Sequence, residues 1–456
     1  MPVNAYKIFL FLIPSLFAVF PATIKAETVL SGGNTTVFQK GPNAFGLPLA
    51  NITRTNRRAH VVGNSFFNKN WVFAPSSTTA RDGLGPLYHA RSCSGCHVRD
   101  GRGAPPQNNK SGVGLLFRLN VPGMPGGDPN LGQQLAVKAA PGVEPEGKVK
   151  ITYQLISETL SDGEIVILRK PNYTLIANPV YGKPHPKTLV GPRLAQPLVG
   201  LGLLESIDEK SILNLADPDD KNKDGISGKA NYVLNQENGK TELGRFGWKA
   251  SQPSLRLQAA VAFFRDMGIT SSIHPNEDFA GNQDKIIKSI GNKEGPEIDD
   301  PKLGRVVTYL KTLAPPAQRN QEAEPVQKGE AIFMQIGCAN CHVQTLKTAS
   351  IATIDELENQ TIRPYTDLLL HDMGNALADG INHAKASGKE WRTPPLWGIG
   401  LTEIVNGNAF FLHDGRARNL QEAIMWHSGE GFSAKKAYSN LSKTERSLVL
   451  NFLRSL

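Results

Sequence analysis

The sequence predicts a mainly α-helical fold made of two similar domains, and three observations lead to this prediction. The motif Cys-x-x-Cys-His occurs twice, at 93–97 and at 338–342, in a chain of 456 residues. Helix-like spacing of apolar residues precedes the second motif, and a helical pattern closes each half of the chain. The polar stretch APPAQRNQEAEP has prolines at both ends, and we place the linker between the halves within it, at 317–324. We therefore expect a distant internal repeat, with one domain in each half.

Each of these helical patterns has local support in the sequence. Val326 and Ile332 belong to an apolar helical pattern that leads into the second motif. Near the C-terminus, Ser442 is a natural N-cap, and Glu445 three residues later completes a capping box. The first half ends in a comparable pattern at 301–313, directly before Ala-Pro-Pro.

The two expected domains differ in length because the first contains an insertion. We place the domains at 27–316 and 325–456, on either side of the linker. Within the first domain, the segment 148–171 alternates apolar and polar residues around Ser-Asp-Gly at 161–163, which predicts a β-hairpin. We expect this hairpin to act as a scaffold.

The Cys-x-x-Cys-His motif is typical of c-type haem attachment. Two thiols one helical turn apart can each bond to a vinyl group on one edge of the porphyrin, and the adjacent imidazole faces the iron as the proximal ligand. Two such motifs predict two covalently bound c-type haems. Haem one would be held by Cys93, Cys96 and His97, and haem two by Cys338, Cys341 and His342.

Three other uses of the cysteines compete with this interpretation. A zinc site could combine the two pairs, although they lie far apart in the chain. A thioredoxin-like redox pair would not need a histidine directly after both motifs. Disulfide bonds are the third alternative, and all four cysteines lie in the motifs, so none is left over for a separate bond. The repetition of the whole motif behind an export signal favours haem.

The N-terminus has the features of a secretory signal peptide. Lys7 provides a positive start, and the apolar run 8–20 is too short to span a bilayer. We expect cleavage near Ala26, so that the segment 1–26 is removed and the mature chain is periplasmic with no stable membrane span. An uncleaved membrane anchor is the alternative.

The charge of the chain gives only general information about partners. The formal net charge is +9, but lysine and arginine form no dense block, so we expect no nucleic-acid binding. A mildly basic surface could meet an acidic redox partner. We expect a small electron-donor protein, or another reductant, as the partner.

Several longer phrases of the sequence are much more specific than the haem motifs. They include RDGLGPLYHARSCSGCHVRDGRG, GRFGWKASQPSLRLQAAVAFFRDMGITS, RPYTDLLLHDMG and FLHDGRARNLQEAIMWH. On these phrases the chain resembles the bacterial di-haem oxidoreductases, which are related to the di-haem cytochrome c peroxidases and MauG. The resemblance covers nearly the whole mature chain. It implies two cytochrome c-like haem domains, the first enlarged by the insertion that contains the β-hairpin.

The resemblance also implies roles for three residues around the reactive haem. The related proteins have a tryptophan between the haems, a glutamine ten positions later, and then a Glu-Met-Gly whose carboxylate lies over the reactive haem. Here Trp248, Gln258 and Asp266 match these residues. They are implied to be an electron relay, a distal-pocket residue and the distal acid. Asp266 is one methylene shorter than the family's glutamate and two positions closer to the glutamine, so Glu205 is the reserve candidate. A core tryptophan and a helix-end aspartate are the structural alternatives.

The resemblance implies a sixth ligand for haem two as well. Related peroxidases place a methionine five residues after the glutamate of a Leu-x-Glu-Ala phrase. His427 stands at that position here, so we expect His427, and not Met425, to bind the iron of haem two. His413 and Met373 are the competing candidates. A second imidazole lowers the haem potential relative to a thioether, which would let haem two share oxidising equivalents as in MauG-like enzymes.

The segment DPDDKNKDGISG offers a candidate calcium site. Asp220, Asn222 and Asp224 fall at alternate positions before Gly225, as at the start of an EF-hand loop. Asn231 stands at loop position twelve, where the usual bidentate ligand is glutamate. A surface turn held by its own Asp and Asn side chains is the alternative.

Together these assignments predict an enzyme that activates H2O2 at haem one and uses haem two as an electron-transfer or charge-sharing centre. One alternative is a plain electron carrier in which a histidine caps haem one. The available histidines in that half are His60, His89, His185 and His274. Another alternative is an oxygenase that binds O2 and acts on an apolar substrate, as the related rubber oxygenases do.

Overall fold

A computed structural model of the chain describes Met1 and residues 29–107, 112–283 and 295–456. Apart from Met1, the signal peptide expected at 1–26 lies outside the described residues. Within the described ranges, no helix has both the length and the apolar character needed to cross a membrane.

The expectation of a mainly α-helical fold is wrong. Helices make up only 29% of the structure and strands 20%. The strands of the described ranges form six sheets of two strands each. The prediction followed the helical patterns next to the haem motifs, but the long segments between them form short antiparallel pairs. One such pair joins 115–120 to 189–194, and a pairing over that sequence distance leaves no local signal.

The helices and strands follow one another irregularly along the chain. The helices are α1 (Arg54–Asn68), α2 (Leu201–Glu205), α3 (Glu209–Leu213), α4 (Leu255–Met267), α5 (Asp300–Lys311), α6 (Glu324–Gln335), α7 (Thr402–Asn406), α8 (Leu420–Met425), α9 (Phe432–Asn440) and α10 (Lys443–Ser455). The strands are β1 (Leu87–Tyr88), β2 (Leu115–Asn120), β3 (Lys138–Ala139), β4 (Gly147–Thr159), β5 (Ile165–Ala177), β6 (Leu189–Leu194), β7 (Tyr232–Leu234), β8 (Thr241–Leu243), β9 (Leu346–Lys347), β10 (Thr361–Ile362), β11 (Leu370–Asp372) and β12 (Glu390–Arg392). The pairs are β1–β3, β2–β6, β4–β5, β7–β8, β9–β10 and β11–β12, all antiparallel.

One arrangement of two helices occurs in both halves of the chain. Helix α1 packs on α5, and helix α6 packs on α10. Each crossing is close because a glycine stands at the contact. A methyl group on Gly63 would overlap the carbonyl oxygen of Arg305, and one on Gly329 would overlap that of Leu448. The capping box of Ser442 and Glu445 at the start of α10 is confirmed.

An aromatic residue follows each of these glycines by four positions and links the helix pair to the histidine of the haem motif. Phe67 lies 6.4 Å from the ring of His97, and Phe333 lies 6.3 Å from that of His342, measured between ring centroids. The two phenylalanines also contact aromatic rings of the closing helices α5 and α10, at 5.1 and 5.2 Å. The structure therefore repeats the same helix pair around each motif.

The β-hairpin forms where the alternation predicts it. Strands β4 and β5 pair along their whole length. Although the hairpin belongs to the first half of the chain, it packs on the second half. At its tip, Arg446 of α10 forms ion pairs with Asp162 and Glu164, at 2.7 and 2.8 Å. Tyr173 of β5 donates a hydrogen bond to Asp414 at 3.0 Å. These contacts suit the expected scaffold role.

The largest hydrophobic core also crosses the linker. It joins Phe263 of α4 and Tyr309 of α5 to buried residues of the second half, among them Leu369, Trp397 and Leu401. Burial of so much apolar surface across the linker holds the two halves in one body.

Candidate functional site

The two Cys-x-x-Cys-His motifs have the same local conformation. In each motif a short 3-10 turn begins at the first cysteine, over Cys93–Gly95 and Cys338–Asn340. The histidine N–H then donates to the carbonyl of the first cysteine, at 2.9 Å in the first motif and 3.0 Å in the second. All four cysteines are free of disulfide bonds. The two thiols and the imidazole of each motif are thus held together by the backbone.

Both motif histidines are oriented by a backbone carbonyl. His97 Nδ1 lies 2.8 Å from the carbonyl oxygen of Gln196, and His342 Nδ1 lies 2.9 Å from that of Tyr365. The Nδ1–H donates in each case, so the lone pair of Nε2 is left for an iron ion. Burial lowers the pKa of both rings, for His342 to about 4, which keeps the imidazoles neutral as metal ligands must be.

A cavity of about 720 Å³ opens beside the first motif. Cys93, Cys96 and His97 line it on one side. Its lining also includes the three residues that the family resemblance singles out, which are Trp248, Gln258 and Asp266. The structure therefore brings together all six residues predicted around haem one, from the first motif, from Trp248 and from helix α4. The volume is typical of a cofactor pocket.

Asp266 stands in the last turn of α4 with its side chain on the cavity. Gln134 Nε2 donates a hydrogen bond to Asp266 Oδ1 at 2.7 Å. Burial raises the pKa of Asp266 to about 6, although the hydrogen bond from Gln134 and the charges of Arg118 and Arg265 act in the opposite direction. Because this value is close to neutral pH, the carboxyl group can both accept and return a proton.

Trp248 is buried and firmly oriented. Its Nε1–H donates to the carbonyl oxygen of Leu194 at 2.8 Å. Its ring lies 6.4 Å from that of His413, and His413 in turn stacks on Trp391 at 3.8 Å. The amide of Leu194 donates to the carbonyl of His413, so one backbone residue joins both aromatic groups. Gln258 lies on α4 and lines the same cavity as Trp248.

Arg102 provides a direct test of whether a haem fits this cavity. Its guanidinium carbon lies 5.7 Å from the Trp248 ring, and its Nε and Nη1 are buried without a hydrogen-bond partner. Burial lowers the pKa of Arg102 to about 10, so the group is still charged at neutral pH. A buried cation with unused donors calls for an anionic partner. A haem propionate has the required charge, so thiols, imidazole and guanidinium together fit a c-type haem.

The surroundings of each candidate distinguish between the possible sixth ligands of haem two. His427 Nδ1 contacts the carbonyl oxygen of Ala423 at 2.8 Å, which again leaves Nε2 free. His427 is close enough to His342 that its charged form would lower the pKa of His342. Met373 lies beside His427, since both approach Gly431.

The other two candidates face elsewhere. His413 stacks on Trp391 and lies edge-on to Trp248. The sulfur of Met425 accepts a hydrogen bond from Ser439 Oγ at 3.6 Å. The geometry therefore favours His427, with Met373 as its nearest competitor.

The reserve acid, Glu205, has a structural role. Its Oε2 forms an ion pair with Lys311 at 2.6 Å. Its Oε1 accepts a hydrogen bond from the amide of Leu255 at 2.7 Å, at the start of α4. Both carboxylate oxygens have protein partners, whereas Asp266 faces the cavity, so Asp266 is the better candidate for the acid.

Of the four histidines considered as caps for haem one, His274 lines the cavity. Its ring stacks on Phe264 at 4.5 Å, and its Nε2 is buried without a hydrogen-bond partner. His60 Nδ1 contacts Thr312 Oγ1 at 2.8 Å, His185 Nδ1 accepts from the amide of Lys187, and His89 is buried with Nδ1 unpartnered.

The calcium expectation receives no geometric support from its loop. Asp220 accepts hydrogen bonds from the amide of Gly225 at 3.2 Å, and Asn222 accepts one from the amide of Asp224 at 3.0 Å. The second bond is that of an Asx turn, the first spans five residues within the loop, and both are exposed. Asn231 is buried elsewhere and donates to the carbonyl of Lys249 at 2.8 Å. Calcium binding thus stays a prediction.

Sequence reasoning missed His371, which lies in the phrase RPYTDLLLHDMG. Its ring is buried between two carboxylates, with Nε2 2.8 Å from Asp367 and Nδ1 2.6 Å from Glu430. Burial alone would lower the pKa of His371, but the hydrogen bonds to Asp367, Cys341 and Glu430 raise it to about 12. Cys341, Asp367 and His371 are near enough to hold a metal ion. The charged imidazole with both nitrogens engaged is instead an ion-paired support for the second motif.

Other cavity residues were missed because they lie outside the two Cys-x-x-Cys-His motifs and were given no role. They are Arg102, Arg118, Gln134 and His383. The one sequence signal is at Arg118, a single arginine within the apolar run 115–119 of β2.

The first haem motif and the cavity beside it fit a haem-binding protein. The chain belongs to the family described as "Di-haem oxidoreductase, putative peroxidase", whose model matches residues 25–117 and 136–456. The predicted family is therefore confirmed, and the family implies haem cofactors. Neither the comparison with curated proteins nor that with solved structures found a match.

Proposed function

We propose that the chain is an exported di-haem c-type cytochrome that activates H2O2 at haem one, with haem two as the electron-transfer or charge-sharing centre. The observation that carries the proposal is the position of Asp266. This carboxyl group, with a pKa of about 6, shares one cavity with Cys93, Cys96 and His97. A proton-transfer group beside a haem site is what cleavage of a peroxide bond requires.

In this proposal the chain's own residues orient the reactants and move one proton. Asp266 would take a proton from one oxygen of H2O2 and return it to the other, which would leave as water when the O–O bond breaks; the haems would supply the two electrons and take up the remaining oxygen. His97, fixed by the carbonyl of Gln196, would hold the iron of haem one through Nε2. The haem, when bound, supplies the redox chemistry, and the protein supplies ligation, proton delivery and spacing.

Trp248 is proposed as the electron relay between the haems. It lines the cavity of haem one, and its backbone carbonyl accepts a hydrogen bond from Arg392 of β12 in the second half of the chain. His427 is proposed as the second imidazole of haem two, which would lower the potential of that haem. We further propose a periplasmic location after removal of 1–26 and a small redox protein or another reductant as the electron source.

Stopped-flow absorbance of the fully ferric protein mixed with equimolar H2O2 tests this function. We expect a rapid change of the haem spectrum, and we expect Trp248→Phe to alter its course. Trp391→Phe is the matched control, because Trp391 is buried near His413 without lining the cavity. An unchanged ferric spectrum in the wild-type protein would contradict direct peroxide activation, and equal effects of the two variants would contradict the relay.

One observation favours the electron-carrier alternative. His274 lines the cavity with an unpartnered Nε2, so it could cap the iron of haem one. Electron paramagnetic resonance of the ferric protein tests the capping: a capped haem one would be low-spin in the wild type and high-spin in His274→Ala. The reaction with H2O2 after reduction of haem two then separates the two functions, because a capped resting enzyme would react and a carrier would not.

A further inference from the structure

The segment between the two parts of the family match contributes directly to the cavity of haem one. Residues 118–135 lie outside the match, yet Arg118, Gln133 and Gln134 all line this cavity. The family match therefore does not cover the polar groups that they bring to Asp266.

Gln134 makes three contacts that fix the orientation of its amide. Its Nε2 donates to Asp266 Oδ1 at 2.7 Å and to the carbonyl oxygen of Arg265 at 3.0 Å. Its Oε1 faces Arg118 Nη1 at 3.4 Å. A side-chain amide has two N–H donors and one carbonyl acceptor. Only this orientation matches both donors to oxygens and the acceptor to a cation, so the amide cannot be reversed without losing all three contacts.

The arrangement leaves one carboxylate oxygen of Asp266 available to accept a proton. Oδ1 is occupied by Gln134, while Oδ2 has no hydrogen-bond partner within the described part of the chain. The side chain of Asp266 lines the cavity. The proton of a peroxide would therefore be accepted at Oδ2.

The charges around Asp266 favour its ionised form. Arg118 faces it from β2, and Arg265 from its own helix, where it is paired with Asp278 at 2.6 Å. The thiols of Cys93 and Cys96 also face it, but they would carry no charge as thioethers of a bound haem. Burial has the opposite effect to these cations, because it raises the pKa of Asp266.

We propose that Gln134 is a positioning residue that holds Asp266 with Oδ2 toward the cavity and stabilises its carboxylate form for proton transfer, with Arg118 as the supporting cation. This inference rests on the proposed function. A purely structural role is the alternative, because Gln134 also binds the carbonyl of Arg265 in the last turn of α4.

The test compares Gln134→Met with Gln133→Met in the di-haem protein. Methionine has a similar length and cannot donate a hydrogen bond. Gln133 is the matched control, since its Oε1 faces Arg118 Nη2 at 3.5 Å, whereas the bond to Asp266 Oδ1 comes from Gln134. The rate of the reaction with H2O2 is measured from pH 5 to pH 8.

Loss of a hydrogen bond to a carboxylate raises its pKa, and the energy of such a bond corresponds to about one to two pH units. The midpoint of the rate profile should rise by that amount in Gln134→Met. For a shift of one unit from about 6, the rate near pH 6 falls roughly fivefold and the rate at pH 8 hardly changes. A merely structural defect would lower the rate at every pH. Gln133→Met leaves the hydrogen bond from Gln134 to Asp266 in place, so it should shift the midpoint less than Gln134→Met, and equal shifts would contradict the positioning role.

A second readout keeps this test separate from the proposed function. Infrared difference spectra of the ferric protein follow the carboxyl band of Asp266, identified by its loss in Asp266→Asn, without any peroxide. The inference is overturned if this band titrates at the same pH in the wild-type protein and in Gln134→Met. If the wild-type protein does not react with H2O2 but the band shifts in Gln134→Met, the proposed function fails while the positioning of Asp266 by Gln134 stands.

Discussion

Replacement of Asp266 by asparagine should remove peroxide activation and at the same time stabilise the fold. The folded protein raises the pKa of Asp266 from 3.8 to about 6 through burial. A difference of about two units corresponds to roughly 3 kcal/mol at most. Because the folded pKa lies above the unfolded one, ionisation is penalised in the folded state. The penalty is absent below about pH 4, grows up to about pH 6, and is complete above it.

Denaturant unfolding of the di-haem protein at pH 4 and pH 8 measures this penalty as the difference between the wild type and Asp266→Asn. Asparagine retains an oxygen that can accept the hydrogen bond from Gln134. We expect the variant to gain up to about 3 kcal/mol in free energy of unfolding at pH 8 and close to nothing at pH 4. An equal difference at both pH values, or a lower stability of the variant at pH 8, would refute the claim that burial penalises the ionised form of Asp266.

Three further predictions concern the second half of the chain. Replacement of His371 by leucine leaves two buried carboxylates uncompensated and should cost about 3–5 kcal/mol in unfolding free energy. The deficit, measured by denaturant titration, should shrink above pH 6.5, because the raised pKa of His371 gives stability that is lost as the pH rises. Gly329→Ala should destabilise by about 1–3 kcal/mol, because α6 has no room for a methyl group, whereas Gly304→Ala, in open space on α5, should be neutral or stabilising in the same assay. His427→Met should raise the midpoint potential of one haem in a redox titration, and an unchanged potential would exclude His427 as its ligand.

Local signals account for what the sequence predicted well. The helix α10, its capping box and the hairpin β4–β5 all depend on residues a few positions apart. The prediction of haem attachment also rests on five consecutive residues, and it stays a prediction. At this range the chemistry of neighbouring side chains decides the structure.

Contacts between distant segments account for the features that the sequence did not predict. Gln134 meets Asp266 across 132 positions of the chain, and Glu430 meets His371 across 59. Neither glutamine nor glutamate has any property in sequence that marks such a contact. The same limitation explains the error in fold class, because β2 finds its partner β6 through tertiary packing.

The central claim is that Asp266 transfers a proton during activation of H2O2 at haem one. Its most direct test is the stopped-flow rate of the ferric di-haem protein with equimolar H2O2 at pH 8, in the wild type and in Asp266→Asn. We predict a loss of about 10²- to 10⁴-fold in the variant, the usual contribution of a general acid–base residue. A variant that reacts as fast as the wild type would contradict the claim.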